Sequence, residues 1–299
     1  MSEAPIARRV LQEMRKLVRS KVADLTAFRH GKASAEALQK SAVPPDQLGE
    51  IHPAHAIYAQ TQNQMSIMAE LLLELEEMKT FDKFISAAQD DYMPSWPPMS
   101  PVTDSFFWCW ANADVTVNAH RETLGSVTLA VGAEFGVHPD MLALMRLINT
   151  SRMSVYRVEG HTGTHIQLCD LVSGRRCSAI CESGYNGIEG ELWFVRVLPP
   201  PLQGQSDHVV FTSPYVLIAP DLKDWTQYLD RIAAKDAHRP RIQALERHFK
   251  WGPERRYWTE FVFEGYVNHR PGAIYLEGLP DVPASRPQSP EFVRDGGRN

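Results

Sequence analysis

The chain has 299 residues, of which 43% are hydrophobic and 22% are charged, as is usual for a globular protein with a large core. A net charge of −5 gives no overall attraction to nucleic acid or to acidic lipid. The N-terminal stretch has no apolar signal-peptide core, no apolar run is long enough to span a membrane, and four cysteines do not make a disulfide framework. We therefore predict a cytoplasmic protein with no membrane partner, built from two or three structural units.

Residues 1–102 are predicted to form a helical hairpin followed by a Pro-rich linker. Apolar residues recur at steps of three and four from Val10 to Phe28, and again from Met65 to Ile85, which is the spacing of amphipathic helices. We expect the second helix to begin near Pro53, because proline is tolerated in the first turn of a helix. The simplest arrangement packs the two helices antiparallel.

The charges of the two helices are complementary. Residues 1–40 carry nine Lys or Arg against four acids, whereas residues 46–93 carry nine acids against two Lys. An exposed ion pair contributes only about 0.2–1 kcal/mol, but a buried Leu or Met side chain contributes about 1.5–3 kcal/mol. Packing is therefore expected to stabilise the hairpin, and charge to select its orientation.

Residues 103–152 form a second predicted helical segment. Its aromatic run, Phe106–Trp110, is expected to belong to a short helix and to be buried in the core. Two helices follow, over 122–135 and 138–152, with a break at Gly136. This order of helix, glycine turn and helix resembles a DNA-binding helix-turn-helix motif. The second helix is rich in Met and Leu, however, which favours a buried helix pair.

Residues 153–220 are predicted to form a small antiparallel β-barrel, SH3-like or similar. From Met153 the helical spacing stops, and short alternating apolar runs separated by glycine turns begin. Such runs are typical of an antiparallel meander that closes on itself. The predicted strands are Met153–Glu159, Thr164–Leu171, Arg176–Glu182, Glu191–Leu198, His208–Thr212 and Tyr215–Ile218.

The C-terminal segment, residues 221–279, is predicted to be mainly helical. Helices are expected over 221–237 and 242–249, whereas the pattern of 257–267 fits a helix and a strand equally well. The Pro-rich tail over 280–299 is predicted to be disordered or extended. Together these elements predict an α+β protein.

A basic and aromatic segment, residues 239–258, is the candidate contact for nucleic acid or phosphate. Cations interleaved with aromatic rings suit a single strand, which binds through its phosphates and by stacking of its bases. The alternative is a solvated helix face whose aromatic rings point inward. The candidate contact residues are Arg239, Arg241, Arg247, Lys250, Arg255 and Arg256.

No metal or cofactor site is predicted. Cys169, Cys177 and Cys181 lie near His161 and His165 in the sequence, but a structural zinc site usually has tightly spaced ligand pairs. The spacing of the cysteines favours small side chains that fill the barrel interior. The chain has no nucleophile elbow, phosphate loop or dinucleotide fingerprint, and we predict no catalytic residue.

Part of the barrel resembles a β-rich module of uncharacterised bacterial proteins, some of which carry a SEC-C zinc motif. The similar residues lie within 153–199 and are Tyr156-Arg-Val, Asp170-Leu-Val-Ser-Gly174 and Gly190-Glu-Leu-Trp-Phe-Val-Arg-Val-Leu-Pro199. The cysteine-rich zinc tail is absent, since no cysteine follows Cys181. The resemblance implies a bacterial cytoplasmic source and supplies no activity or metal.

Three functions follow from these patterns. The first is a non-catalytic protein-interaction or regulatory protein, which binds a protein partner or a second copy of itself through the N-terminal helices. The alternative is a nucleic-acid-associated protein that uses the segment 239–258. The third is an enzyme of a type that the sequence does not reveal.

Overall fold

The computed structural model describes five stretches of the chain, residues 5–19, 49–92, 101–182, 185–217 and 221–252. They contain helices and one small barrel, which confirms the α+β class and its helical, barrel and C-terminal helical parts. The predictions for 257–267 and for the tail over 280–299 lie outside these stretches. Within them, no helix combines the length and the apolar character needed to cross a lipid bilayer.

The helices begin and end at local signals in the sequence. His52 caps the helix Pro53–Leu73 by accepting a hydrogen bond from the backbone N–H of Ala54, and Pro53 occupies its first turn. Gly136 adopts a φ of +83°, a left-handed conformation that glycine adopts without strain, and it lies between the helices Leu124–Glu134 and Pro139–Thr150. The helices are α1 Pro5–Arg19, α2 Pro53–Leu73, a 3₁₀ turn Glu76–Met78, α3 Lys79–Tyr92, α4 Pro101–Ala113, α5 Leu124–Glu134, α6 Pro139–Thr150, α7 Leu222–Lys235 and α8 Arg241–Trp251.

The N-terminal helices pack into a larger assembly than a two-helix hairpin. Helix α1 packs mainly against α5 and the 3₁₀ turn, while α2 packs against α5 and α6. The backbone amides of Ile6 and Ala7 donate to the buried carboxylate of Glu122, which anchors the first turn of α1 beside α5. Arg15 of α1 pairs with Glu134 of α5 at 2.8 Å. Part of the predicted first helix, over 20–28, lies outside the described residues.

The periodicity switch at Met153 is confirmed, because a strand begins there. Strands β1, β2, β3, β5 and β4 follow one another around the barrel, β4 pairs back with β1, and β6 pairs with Leu192–Phe194 of β4 on the side away from β1. A bulge in β1 lies between Val158 and Gly160. The strands are β1 Met153–Thr162, β2 His165–Asp170, β3 Arg176–Ile180, β4 Leu192–Leu198, β5 His208–Val210 and β6 Tyr215–Leu217.

One pairing in the barrel corrects the wholly antiparallel prediction. Strands β3 and β5 run parallel, through the pairs Ala179–His208 and Ile180–Val209, whereas the other pairings are antiparallel. The reason is topological, because strand direction cannot alternate all the way around a closed ring of five strands. At least one neighbouring pair must therefore be parallel.

Both faces of strand β4 are buried, one in the interior of the barrel and the other against the helices, so this strand joins the two parts of the fold. Trp193 and Val195 point into the barrel, together with the small side chains of Ala179 and Cys177. Phe194 lies on the opposite face, in a core shared with α1, α4, α5, α7 and α8. The charged side chain of Arg196 follows on this helix-facing side and is fully buried, which leads to the candidate site.

Candidate functional site

Three buried charged side chains meet where α4, α8 and β4 come together. Asp114, Arg196 and Lys250 are 4%, 0% and 7% exposed. Asp114 accepts a hydrogen bond from Nη2 of Arg196 on one oxygen, and from Nζ of Lys250 at 2.6 Å on the other. Two cations therefore share one carboxylate, and with Lys250 protonated the cluster carries one net positive charge.

The carbonyl groups at the ends of two helices supply the remaining partners. Nζ of Lys250 donates to the carbonyl oxygens of Ala113 at 2.8 Å, Asn149 at 2.8 Å and Ser151 at 2.6 Å. Nη1 of Arg196 donates to the carbonyl and the hydroxyl of Ser151. The last carbonyls of a helix have no intrahelical partner and carry a partial negative charge, so they stabilise a buried cation.

Burial and hydrogen bonding act in opposite directions on Lys250. Burial disfavours the charged form, and it lowers the pKa of the Lys250 ammonium to about 8, while the charge of Asp114 and its hydrogen bond act to raise it. Because of its carbonyl partners and the carboxylate, Lys250 has an acceptor for every N–H. The ammonium is therefore the form that the geometry favours at neutral pH.

Lys250 also lines an open cleft of about 590 Å³ between α8, the start of α5 and the end of α6. Cationic side chains surround it: Arg121, Arg152, Arg247 and Lys250. Thr123, Ser126, Asn149, Thr150 and Gln243 add polar groups, Trp251 an aromatic ring and Glu246 a carboxylate. The volume suits a small ligand or one end of a larger one, and the predominance of cations favours an anion.

Helical spacing aligns the side chains that α8 contributes to the cleft. Gln243, Glu246, Arg247, Lys250 and Trp251 occupy positions i, i+3, i+4, i+7 and i+8 along α8, so they share one face of the helix. The other face carries Leu245 and Phe249, which are buried in the hydrophobic core. Residues of the basic and aromatic segment are therefore divided between the cleft and the core.

Arg121 has an unusual backbone conformation for a non-glycine residue. Its φ is +55°, in the left-handed region, and its N–H donates to the carbonyl of Asn118 in a tight turn. The guanidinium lies 5.6 Å from the centroid of the Trp251 ring. Burial, followed by the charges of Arg247 and Arg239, lowers the pKa of Arg121. No ion pair links Arg121 to a carboxylate within the described residues.

Asp170 of the barrel holds Arg152 in the wall of the cleft. Nη2 of Arg152 donates to Asp170 at 2.8 Å, and the hydroxyls of Ser154 and Ser173 donate to the same carboxylate. Burial raises the pKa of the Asp170 carboxyl, but Arg152 and the two hydroxyls outweigh it, so the net pKa is lowered. The carboxylate is therefore charged at neutral pH and orients the guanidinium.

The structure separates the predicted contact residues into three groups. Arg247 and Lys250 line the cleft. Nη1 of Arg239 donates to both carboxylate oxygens of Asp236, and Arg241 pairs with Asp230 at 2.8 Å, so both arginines have carboxylate partners outside the cleft. Arg255 and Arg256 lie outside the described residues.

Two cations of the cleft, Arg121 and Arg152, were missed by the sequence analysis. They precede α8 by about 90 residues or more in the chain, and neither belongs to a recognisable basic cluster. The buried partners Asp114 and Arg196 were missed for the same reason. Arg196 lies in the middle of an apolar strand, and a charged residue in such a run was the one signal that pointed to a buried ion pair.

The candidate zinc ligands do not come together. Cys177 and Cys181 pack against the hydrophobic interior of the barrel, and burial raises the pKa of the Cys177 thiol to about 12, so it remains protonated. In the part of the chain that the structure describes, no three His, Cys, Asp or Glu side chains form a group that could hold a metal ion.

Comparison of the chain with models of protein families, with curated proteins and with solved structures finds no match. The resemblance of residues 153–199 to a bacterial β-rich module therefore stays a prediction. The function must be inferred from the site itself.

Proposed function

We propose that the protein is a non-catalytic binding protein whose cleft holds a phosphate-bearing ligand. One observation carries the proposal: four cationic side chains converge on one cleft, and Arg121 among them has no carboxylate partner in the described part of the chain. Arginine binds phosphate oxygens through two parallel N–H groups, and lysine adds a point charge. An anion in the cleft would relieve the repulsion between Arg121 and Arg247.

The geometry of Lys250 supports binding rather than catalysis. A catalytic lysine needs a free amine or a proton that it can transfer to the substrate. Here Nζ has four acceptors within 2.8 Å, namely three carbonyl groups and Asp114. We infer that Lys250 supplies a positive charge to the wall of the cleft, rather than an amine or a proton to a substrate.

The proposal retains part of the nucleic-acid alternative. A single strand carries phosphates and bases, and Trp251 provides an aromatic surface beside Arg121 and Lys250. Binding to a protein partner, or to a second copy through the N-terminal helices, stays a prediction for which the described residues supply no specific contact.

The test is isothermal titration of the full chain with pyrophosphate and with an eight-residue oligothymidylate at about 50 mM salt. We expect Arg121→Gln and Arg247→Gln each to weaken binding by about tenfold or more, the usual effect of losing one charge-assisted hydrogen bond. Arg241→Gln is the matched control, because it removes the same charge from α8 at a residue paired with Asp230 outside the cleft. Equal weakening by all three variants, or no binding of either probe, would refute the proposal.

A further inference from the structure

The charges that the described residues place around the cleft do not balance. The cations that line it or share a carboxylate with its lining are Arg121, Arg152, Arg196, Arg239, Arg247 and Lys250. The carboxylates that face it or pair with these cations are Asp114, Asp170, Asp236 and Glu246. Among the residues that the structure describes, six positive groups against four negative ones leave two positive charges without a counterpart.

Two uncompensated charges distinguish between the two common forms of phosphate in biological ligands. A phosphate diester, as in the backbone of a nucleic acid, carries one negative charge per phosphate. A terminal phosphate monoester carries about 1.5 to 2 negative charges at pH 7, and it presents three strong acceptor oxygens. The local excess of charge therefore matches a monoester.

We propose that the cleft selects a terminal phosphate monoester over a phosphate diester. This inference rests on the proposed function, and it names the class of ligand. Arg121 and Arg247 line the cleft from different elements, so each could donate to a different oxygen of a phosphate there, while Arg152 is held in place by Asp170. The monoester has two possible sources, the phosphorylated end of a single strand and a small phosphorylated metabolite.

Selection of the dianion makes the affinity for the phosphate monoester depend on pH. The second pKa of a phosphate monoester is about 6, so affinity should rise between about pH 5 and 7 as the dianion forms. Lys250, with a pKa of about 8, should lose its proton above that pH and weaken binding again. The other charged groups in and around the cleft are the arginines Arg121, Arg152, Arg196, Arg239 and Arg247 and the carboxylates Asp114, Asp170, Asp236 and Glu246. Affinity should therefore be greatest between about pH 7 and 8.

The experiment compares two octathymidylates that differ only in the presence of a 5′ phosphate, by isothermal titration into the full chain at about 50 mM salt. We expect the phosphorylated strand to bind about tenfold more tightly or more. Arg121→Gln should remove most of that difference, whereas Arg241→Gln should leave it unchanged. Phenyl phosphate and dimethyl phosphate form the small-molecule arm, in which the monoester should bind and the diester should not.

The two arms distinguish the source of the ligand. Tighter binding of the phosphorylated strand than of phenyl phosphate supports a nucleic-acid end, and the reverse order supports a small metabolite. Equal binding of the two strands, with dependence on Arg121 and Arg247, would overturn selection of the monoester but leave the phosphate-binding function intact. Failure of every probe to bind would overturn both.

The Glu246→Gln variant is expected to bind phosphate more tightly, which is a result that a loss of folding cannot produce. Glu246 lines the cleft beside the proposed phosphate, and its carboxylate repels a dianion. Its removal should strengthen binding of phenyl phosphate by about threefold at low salt, since the charges are partly screened by solvent. Unchanged or weaker binding would contradict the placement of the phosphate in this cleft.

Discussion

Replacing Lys250 by methionine tests the buried charge cluster directly. The substitution keeps the length of the side chain but removes the ammonium that bridges α4, α6 and α8. Asp114 keeps Arg196 as its partner, so the remaining pair is neutral. The carbonyls of Ala113 and Asn149, near the ends of their helices, lose their ammonium donor.

The expected cost follows from these contacts. Each buried acceptor left without a donor costs about 1–3 kcal/mol, and the loss is offset in part because the ammonium no longer has to be desolvated. We therefore expect Lys250→Met to reduce the free energy of unfolding by about 2–4 kcal/mol. Asp114→Asn should cost more, about 3–5 kcal/mol, because it leaves two buried cations without a carboxylate.

Equilibrium unfolding in urea, followed by circular dichroism, measures both variants against the parent chain. Lys223→Met is the matched control, since Lys223 is exposed on α7, and its substitution should change stability by no more than about 0.5 kcal/mol. A loss below about 1 kcal/mol for Lys250→Met, or a larger loss for Lys250→Met than for Asp114→Asn, would refute this account of the cluster.

Three further predictions concern the rest of the fold. Burial lowers the pKa of His248 from 6.5 to about 4. As the pH falls, the unfolded chain therefore takes up a proton before the folded chain does, and the free energy of unfolding should fall by up to about 3 kcal/mol between pH 6.5 and 4. Urea unfolding at pH 7 and pH 4.5 measures this loss, which should be smaller in His248→Phe. Glu122→Gln weakens the carboxylate cap on α1, and should reduce the free energy of unfolding by about 1.5–3 kcal/mol. It should also speed hydrogen exchange of the backbone amides in the first turn of α1, and unchanged exchange there would contradict the anchoring role. Gly187 has a φ of +74°, and Gly187→Ala would place a methyl group 2.4 Å from the ring of Trp193. The substitution should therefore lower the melting temperature measured by calorimetry, and a melting temperature equal to that of the parent chain would contradict this close contact.

The barrel strands and most helix boundaries could be predicted because their signals are local. Alternation of apolar residues sets a strand, steps of three and four set a helix, and Gly136 and Pro53 set the boundaries of their helices. Each of the six predicted strands coincides with an observed strand. The parallel β3–β5 pair was missed because strand order around a ring is not encoded in the periodicity of any one strand.

The sequence alone determined the class of fold, the position of the barrel and the basic character of α8, since each depends on neighbours in the chain. Tertiary structure alone decided that Arg121 and Arg152 join Arg247 and Lys250 around one cleft. It also decided that Asp114, Arg196 and Lys250, which are separated by more than 50 residues along the chain, form a single buried cluster. Burial and charge proximity depend on how helices and barrel pack, and that packing brings together residues whose order in the sequence gives no sign of contact.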